Sequence, residues 1–399
     1  MLNVTRLLCG TSTPGDALRY GEKATSPHHI RAPSAHFRPI VVWNVTRRCN
    51  LRCLHCYTSS NEHPAKDELN HQEAQAVVED LAGFKVPVIL FSGGEPLIRE
   101  DVFDLMAQTA SLDVQPVVST NGTLIDAAMT DRLKAAGVSR VGISIDGLEK
   151  TNDGFRQMEG AFQQAMDGIR ASMEAGFRVS LRFTMTQYNV EELDQIFEMV
   201  EEMKIPRVCI YHVAYSGRGR RLLPMDLQHD ERRDAVGRIF QHTMDMHSRG
   251  NEIEVLTVDN HTDGAYLLLW AQEHAPDRVP EMQRLLARNG GNSAGKGIGN
   301  IDERGNIHPD QFWRAQTLGN VRDRPFSEVW QDNELPLLSQ LRSRHEVLPQ
   351  MCQECNFLSV CNGNLRARAE AATGDPWGED PACYLTDDER ANIEEMVTA

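Results

Sequence analysis

Between residues 40 and 220 the chain alternates, six times over, between a short apolar run and a longer amphipathic one. The short runs lie at 40–43, 86–91, 115–119, 141–145, 178–184 and 207–214. In the first long run, Asn70-His71-Gln72-Glu73 offers a capping box, and Ala74, Val77, Val78 and Leu81 follow at helical spacing. Gly137 and Gly176 stand where later helices would end. Strand and helix in strict alternation demand parallel strands joined by right-handed crossovers. Six units are too few to close an eight-stranded barrel. The expected fold is therefore α/β: a partial (βα)6 TIM-like barrel, open on one side. Its chemistry belongs at the carboxyl ends of the strands.

The loop after the first strand carries Cys49, Cys53 and Cys56 in C-x3-C-x2-C spacing. Three thiolates on one short loop can each ligate one iron of a cubane, leaving the fourth iron free to bind a small molecule. Zinc is the alternative, with His55 or His63 as fourth ligand. Gly93-Gly94-Glu95-Pro96 ends the second strand, where glycine lets backbone approach a ligand closely. Thr120-Asn121-Gly122 and Ser144-Ile145-Asp146-Gly147 end the third and fourth. Their small polar side chains suit hydroxyls and a carboxylate, although Asn-Gly and Asp-Gly are also turn dipeptides. Arg156 could add a charged bond to a carboxylate.

A second group, Cys352, Cys355, Cys361 and Cys383, can saturate a [4Fe-4S] cluster as an electron relay or staple. A zinc ribbon is the competing reading. Of nine cysteines, only Cys9 and Cys209 fall outside these groups, and both read as small buried hydrophobes. Around the two groups the chain divides into a lead-in segment (1–38), the barrel (39–225), a mainly helical connection (226–296) and an iron-sulfur domain (297–399). The helical connection is interrupted at Val258-Asp259-Asn260-His261. The last domain opens on a hairpin at 298–312 and closes on a helix through Met396, capped by Thr386 and Glu389.

Clustered metal thiolates need a reducing compartment, and no apolar run is long enough to span a membrane; the expected location is cytoplasmic. A net charge of −16 argues against non-specific nucleic-acid binding. It leaves room for a local basic patch, and Arg218, Arg220 and Arg221, with Arg207 and His212, follow the sixth strand. These could pair with substrate carboxylates or line a solvated loop. His261 and His308 could reach a substrate iron or be satisfied within the protein. No catalytic acid or base stands out.

The first cysteine motif closely resembles the signature of radical S-adenosylmethionine (SAM) enzymes, whose core fold is a partial barrel. The resemblance implies that SAM chelates the open iron of a [4Fe-4S] cluster. One electron then splits SAM into methionine and a 5′-deoxyadenosyl radical. It places His55 beside the adenine, Gly93, Gly94 and Glu95 at the methionyl amino group, Asn121 near the ribose, and Ser144 at the carboxylate. The second cysteine group resembles the auxiliary-cluster extensions of SPASM and twitch members. No cysteine lies between Cys209 and Cys352, so one auxiliary [4Fe-4S] cluster is expected.

Further blocks, among them Tyr211-His212-Val213-Ala214-Tyr215-Ser216-Gly217-Arg218-Gly219, Leu256-Thr257-Val258-Asp259-Asn260-His261 and His308-Pro309-Asp310-Gln311-Phe312-Trp313, resemble the NirJ-type enzymes of heme d1 biosynthesis. That implies an anionic iron tetrapyrrole, 12,18-didecarboxysiroheme, losing two propionates. It also implies a reductant such as flavodoxin or ferredoxin and other heme d1 proteins as partners. Three rivals stand beside it: the deacetylase of the alternative heme pathway, which takes acetates from the same substrate; a peptide-modifying SPASM maturase; and a non-enzymatic iron-sulfur carrier. The maturases commonly carry a leader-binding domain that the short lead-in does not offer.

Overall fold

The computed structural model describes residues 1–21 and 38–391. Its strands form one sheet: β1 (Leu2–Asn3), β2 (Ile40–Thr46), β3 (Val88–Gly93), β4 (Gln115–Thr120), β5 (Arg140–Ser144), β6 (Arg178–Thr184), β7 (Arg207–Tyr211), β8 (Glu254–Val258), β9 (Ile298–Ile301), β10 (Asn306–His308) and β11 (Gly319–Asn320). The order is β1-β8-β7-β6-β5-β4-β3-β2-β9-β10-β11. Strands β2 through β8 pair in parallel, each with its sequence neighbour. No ladder joins β8 back to β2 among the described residues, so the barrel is open as expected.

The strands are rich in buried apolar residues because helices cover the outer face of the parallel sheet, while polar residues of β4 and β6 turn to the cavity. Val41, Trp43, Phe91, Ile143, Leu181 and Phe183 are all fully buried. The helix His71–Gly83 shows how the outer layer is set: Asn70 and Glu73 form the capping box, and Ala74, Val77, Val78 and Leu81 face inward.

Two departures matter for the site. The interruption of the helical connection is a seventh parallel strand, β8. It is only five residues long and begins with a glutamate, which hides it between two helices. That glutamate, Glu254, is buried at the amino end of the sheet, where Arg207, Arg178 and Arg19 surround it. Against the cost of burial, these cations hold its carboxyl down to about 2. Arg207 is therefore at the wrong end of the barrel to meet a substrate. The second departure concerns the lead-in. β1 pairs antiparallel with β8, and the helices Val4–Cys9 and Asp16–Tyr20 dock behind it. The first 20 residues thus finish the sheet edge.

At the other edge β9 pairs in parallel with β2, and the expected hairpin follows as β9–β10. Thr386 and Glu389 exchange the expected capping bonds. The helix they start is described over Asp387–Ala391, and its expected run to Met396 lies outside the described residues. Among the described residues no helix is long and apolar enough to cross a membrane.

Candidate functional site

The cysteine loop leaves the carboxyl end of β2 and is clamped from several sides. Gly94 donates its N–H to the Thr46 carbonyl at 2.7 Å, and Glu95 N–H donates to the Arg48 carbonyl at 2.8 Å. Arg218 donates through Nε to the Cys53 carbonyl (2.9 Å) and through Nη1 to the Ser60 carbonyl (2.6 Å). A Cβ on Gly94 would fall 2.1 Å from the Arg48 carbonyl oxygen, and one on Gly217 would fall 2.4 Å from that of Tyr57. The room left by these glycines is filled by the loop's own backbone. For Gly93 and Gly94 this differs from the expectation of an opening toward ligand: Gly93, at φ +130°, faces the Thr46 carbonyl.

Each sulfur has a donor. Leu51 N–H points to Cys49 Sγ (3.4 Å), Arg156 Nη1 to Cys53 Sγ (3.5 Å), and Ser60 N–H to Cys56 Sγ (3.4 Å). Such donors favour thiolates and tune a bound cluster. Against burial, Thr58, Arg218 and Ser60 bring the Cys56 thiol below its ordinary range. Burial, with Glu95 adding to it, pushes Cys49 up to about 12. Metal binding would displace that proton. Among the described residues no three His, Cys, Asp or Glu side chains are grouped to hold a metal ion. Ligands to a cubane need not meet at a point, because each takes a different iron. His63, one candidate fourth zinc ligand, is exposed beside Glu62.

The expected SAM residues divide into two sets. His55, Ser144 and Arg156 line one cavity of about 800 Å³, open to solvent, inside the carboxyl end of the barrel. His55 Nε2 lies 3.3 Å from Asp146, and its ring centroid lies 4.8 Å from that of Phe155. Burial lowers its pKa to about 4, so the ring is neutral. Arg156 pairs with Asp146 as well as with Cys53. His55 Nδ1 and Arg156 Nε are buried without partners, which fits a polar ligand in this cavity.

The other set, Gly93, Gly94, Glu95 and Asn121, stands behind the cysteine loop. The Glu95 carboxylate is fully buried and accepts from Thr120 Oγ1 (2.8 Å), Asn121 N–H (2.9 Å) and Leu97 N–H (3.2 Å). Burial nonetheless pushes its pKa up to about 7. Asn121 Nδ2 donates to Asn50 Oδ1 at 2.8 Å. The Glu95 side chain ties the ends of β3 and β4 to each other, and the Asn121 side chain ties the end of β4 to the loop.

The basic run serves the framework. Arg218 braces the loop, Arg220 reaches the Ala371 carbonyl, and Arg221 is exposed. His212 is buried between Asp263 (3.0 Å) and Arg232 (2.9 Å). His308 has both ring nitrogens engaged, by the Gln316 carbonyl (2.7 Å) and Asp302 (3.3 Å), and is closed to an iron. His261 is buried with Nδ1 unpartnered, yet it does not line the cavity. The polar groups that do line it include four the sequence reading did not assign: Ser119, Arg182, Tyr211 and Asp259. Arg182 had a signal, a charge amid the apolar residues of a buried strand.

In the C-terminal region Cys352 lies on the short helix Gln350–Gln353 and Cys361 ends the helix Leu358–Cys361. All four cysteines of this group are half-buried. They are neighbours: burial raises the Cys361 thiol well above its usual range, and Cys383 and Cys352 raise it further. Cys209 is buried in a small apolar cluster, and Cys9 packs at the edge of the main core.

The sequence profile of the Radical SAM superfamily matches residues 43–200. The chain is 47% identical over 393 residues to the Fe-coproporphyrin III synthase of Methanosarcina barkeri, covering 98% of each chain. It is 40% identical over 351 residues to the pre-heme d1 synthase of Dinoroseobacter shibae, covering 88% of this chain and 87% of that one. The fold superposes on anSMEcpe with bound AdoMet and the Cp18Cys peptide at TM-score 0.67 and 16% identity, covering 87% of this chain and 94% of that one. With an open parallel barrel, a three-cysteine loop at the end of its first parallel strand, and near full-length identity to such relatives, this chain belongs to the radical SAM superfamily and is an enzyme of it.

Proposed function

We propose that this enzyme works in the cytoplasm and removes two acetate arms from the iron tetrapyrrole 12,18-didecarboxysiroheme. The observation carrying this reading is the 47% identity, over 98% of both chains, to a protein named Fe-coproporphyrin III synthase. A coproporphyrin bears propionate and methyl groups and no acetate, so a product of that name calls for acetate loss. Removal of two propionates is the second reading, supported by the 40% identity to a pre-heme d1 synthase.

Cys49, Cys53 and Cys56 would hold a [4Fe-4S] cluster with one open iron. With SAM bound, that pair supplies a hydrogen-abstracting radical, chemistry no side chain can perform. The protein's part is placement. Arg218 and the packed glycines fix the loop, and Glu95 and Asn121 lock it to two strand ends. In the cavity, Ser144 and Arg156 suit a carboxylate, and the neutral His55 ring suits an adenine face. Cys352, Cys355, Cys361 and Cys383 would hold a second [4Fe-4S] cluster, saturated by protein, that relays an electron. A flavodoxin- or ferredoxin-type protein would supply reducing equivalents.

The test is anaerobic turnover of reconstituted enzyme with reductant, SAM and didecarboxysiroheme, followed by weighing the tetrapyrrole. Loss of two acetates is the expected result and loss of two propionates selects the second reading. An unchanged mass, alongside SAM cleavage, overturns both.

A further inference from the structure

Arg182 sits in the middle of β6 with its side chain in the barrel cavity. Its guanidinium reaches across β5 to donate through Nη1 to Ser119 Oγ on β4. The strand it crosses has a glycine at the crossing point. A Cβ on Gly142 would fall 2.4 Å from Arg182 Nε. The missing side chain makes a trough that holds the flat group in one orientation. Nε itself is buried with no hydrogen-bond partner.

Two other arginines of the barrel have carboxylate partners. Arg178, four residues earlier on the same strand, pairs with Glu254, and Arg156 pairs with Asp146. Among the described residues no carboxylate lies within ion-pair distance of Arg182. A half-buried cation held in one orientation without a counterion is a ready partner for an incoming anion. Arginine's planar fork matches a carboxylate in geometry as well as charge. Across the same cavity Asp259 also has a buried oxygen, Oδ2, without a partner. Burial, with Asp310 adding to it, pushes the Asp259 carboxyl up to about 7, against the amino terminus, Arg368 and Arg182. Below that pH it carries a proton that a bound carboxylate can accept.

We propose that Arg182, seated in the Gly142 trough and facing Asp259, is the anchor for one carboxylate arm of the substrate inside the barrel. This rests on the tetrapyrrole reading above. It gives that reading a means of selection: an arm anchored at a fixed depth presents a fixed carbon to the radical, so arm length decides which bond is reached.

The experiment is an anaerobic Soret titration of the reconstituted enzyme with didecarboxysiroheme and with its fully methyl-esterified form. SAM binding is measured in parallel. The wild type should prefer the free acid by roughly 10- to 100-fold, the span of a charged hydrogen bond. Arg182→Gln should bring the ratio near one, and Arg182→Lys should restore part of it. Gly142→Ala keeps the charge but fills the trough, and it should also lower the ratio. A wild-type ratio in either Arg182→Gln or Gly142→Ala overturns the assignment. So does weakened SAM binding with the ratio intact, because the carboxylate served would then be that of SAM. If the wild type binds neither form, the tetrapyrrole reading itself falls, and the anchor with it.

Discussion

The two cysteine groups are built in opposite ways. The Cys49 loop is held by backbone contacts from the ends of β2 and β3 and from the 217–219 turn, and Cys49 and Cys53 are buried. Two arginines touch it, one at a sulfur and one at two carbonyls. In the other group Cys352 and Cys361 lie on short helices, Cys355 and Cys383 lie outside them, and all four residues are half-buried. Among the described residues one glycine packs directly on a cysteine's backbone there: a Cβ on Gly291 would fall 2.4 Å from the Cys361 carbonyl. On the proposed assignment, a loop that leaves one iron open would need its geometry imposed from outside, whereas four ligands on one cluster would impose geometry on each other.

The largest effect should come from cutting each group in turn. Cys53→Ala should lower 5′-deoxyadenosine formation by more than about hundredfold, beyond the loss of an outer partner. Cys355→Ala should retain part of that activity while product disappears. Iron should fall from about eight per chain to about four in each variant, as whole cubanes are lost. Equal loss of 5′-deoxyadenosine in both variants would contradict the division of labour between the groups.

The glycine contacts give a smaller effect. Gly94→Ala forces a Cβ into the Arg48 carbonyl and should cost about 2–3 kcal/mol, with loss of SAM cleavage ahead of loss of auxiliary iron. Gly291→Ala, at φ +68° and against the Cys361 carbonyl, should invert that order. Iron and SAM-cleavage assays on both variants decide the matter. The same order in both would mean that the two regions respond as one.

These contrasts bear on what the sequence made legible. The parallel strands were readable because β-branched runs ending in polar turns recur at regular spacing. Strand β8 was not, because five residues between two helices carry too little periodicity. Gly93 and Gly94 marked a close approach without saying what approached, and the answer is backbone. Arg207 could have been placed correctly from topology alone: it is the first residue of a parallel strand, at the end away from the site. Arg182 required knowing which face of β6 looks inward and that β5 offers a glycine opposite. Both are facts of register, set by pairing between distant segments.

The smallest expected effect tests the seam between the two regions. Asp259 follows β8 at the rim of the barrel, and Asp310 follows the hairpin strand β10. Burial and mutual repulsion push Asp259 up to about 7, and burial pushes Asp310 up to about 6. The ordinary value for Asp259 is 3.8. Below about pH 4 the folded and unfolded chains both hold its proton. Between there and about pH 7 the unfolded chain releases it while the folded chain keeps it, so stability falls as pH rises. Above pH 7 the penalty is complete. Asp259→Asn removes that titration, so its melting temperature relative to wild type should rise from pH 4 to pH 8. The gain at pH 8 should be on the order of 1–2 kcal/mol, allowing for partial solvent access. Asp310→Asn should show a smaller gain over a lower window. Because each carboxyl raises the cost of ionising the other, the double variant should gain less than the sum of the two. Strict additivity, or a gap that narrows with pH, would mean that the barrel rim and the hairpin do not share this charge. The two regions would then meet without electrostatic coupling.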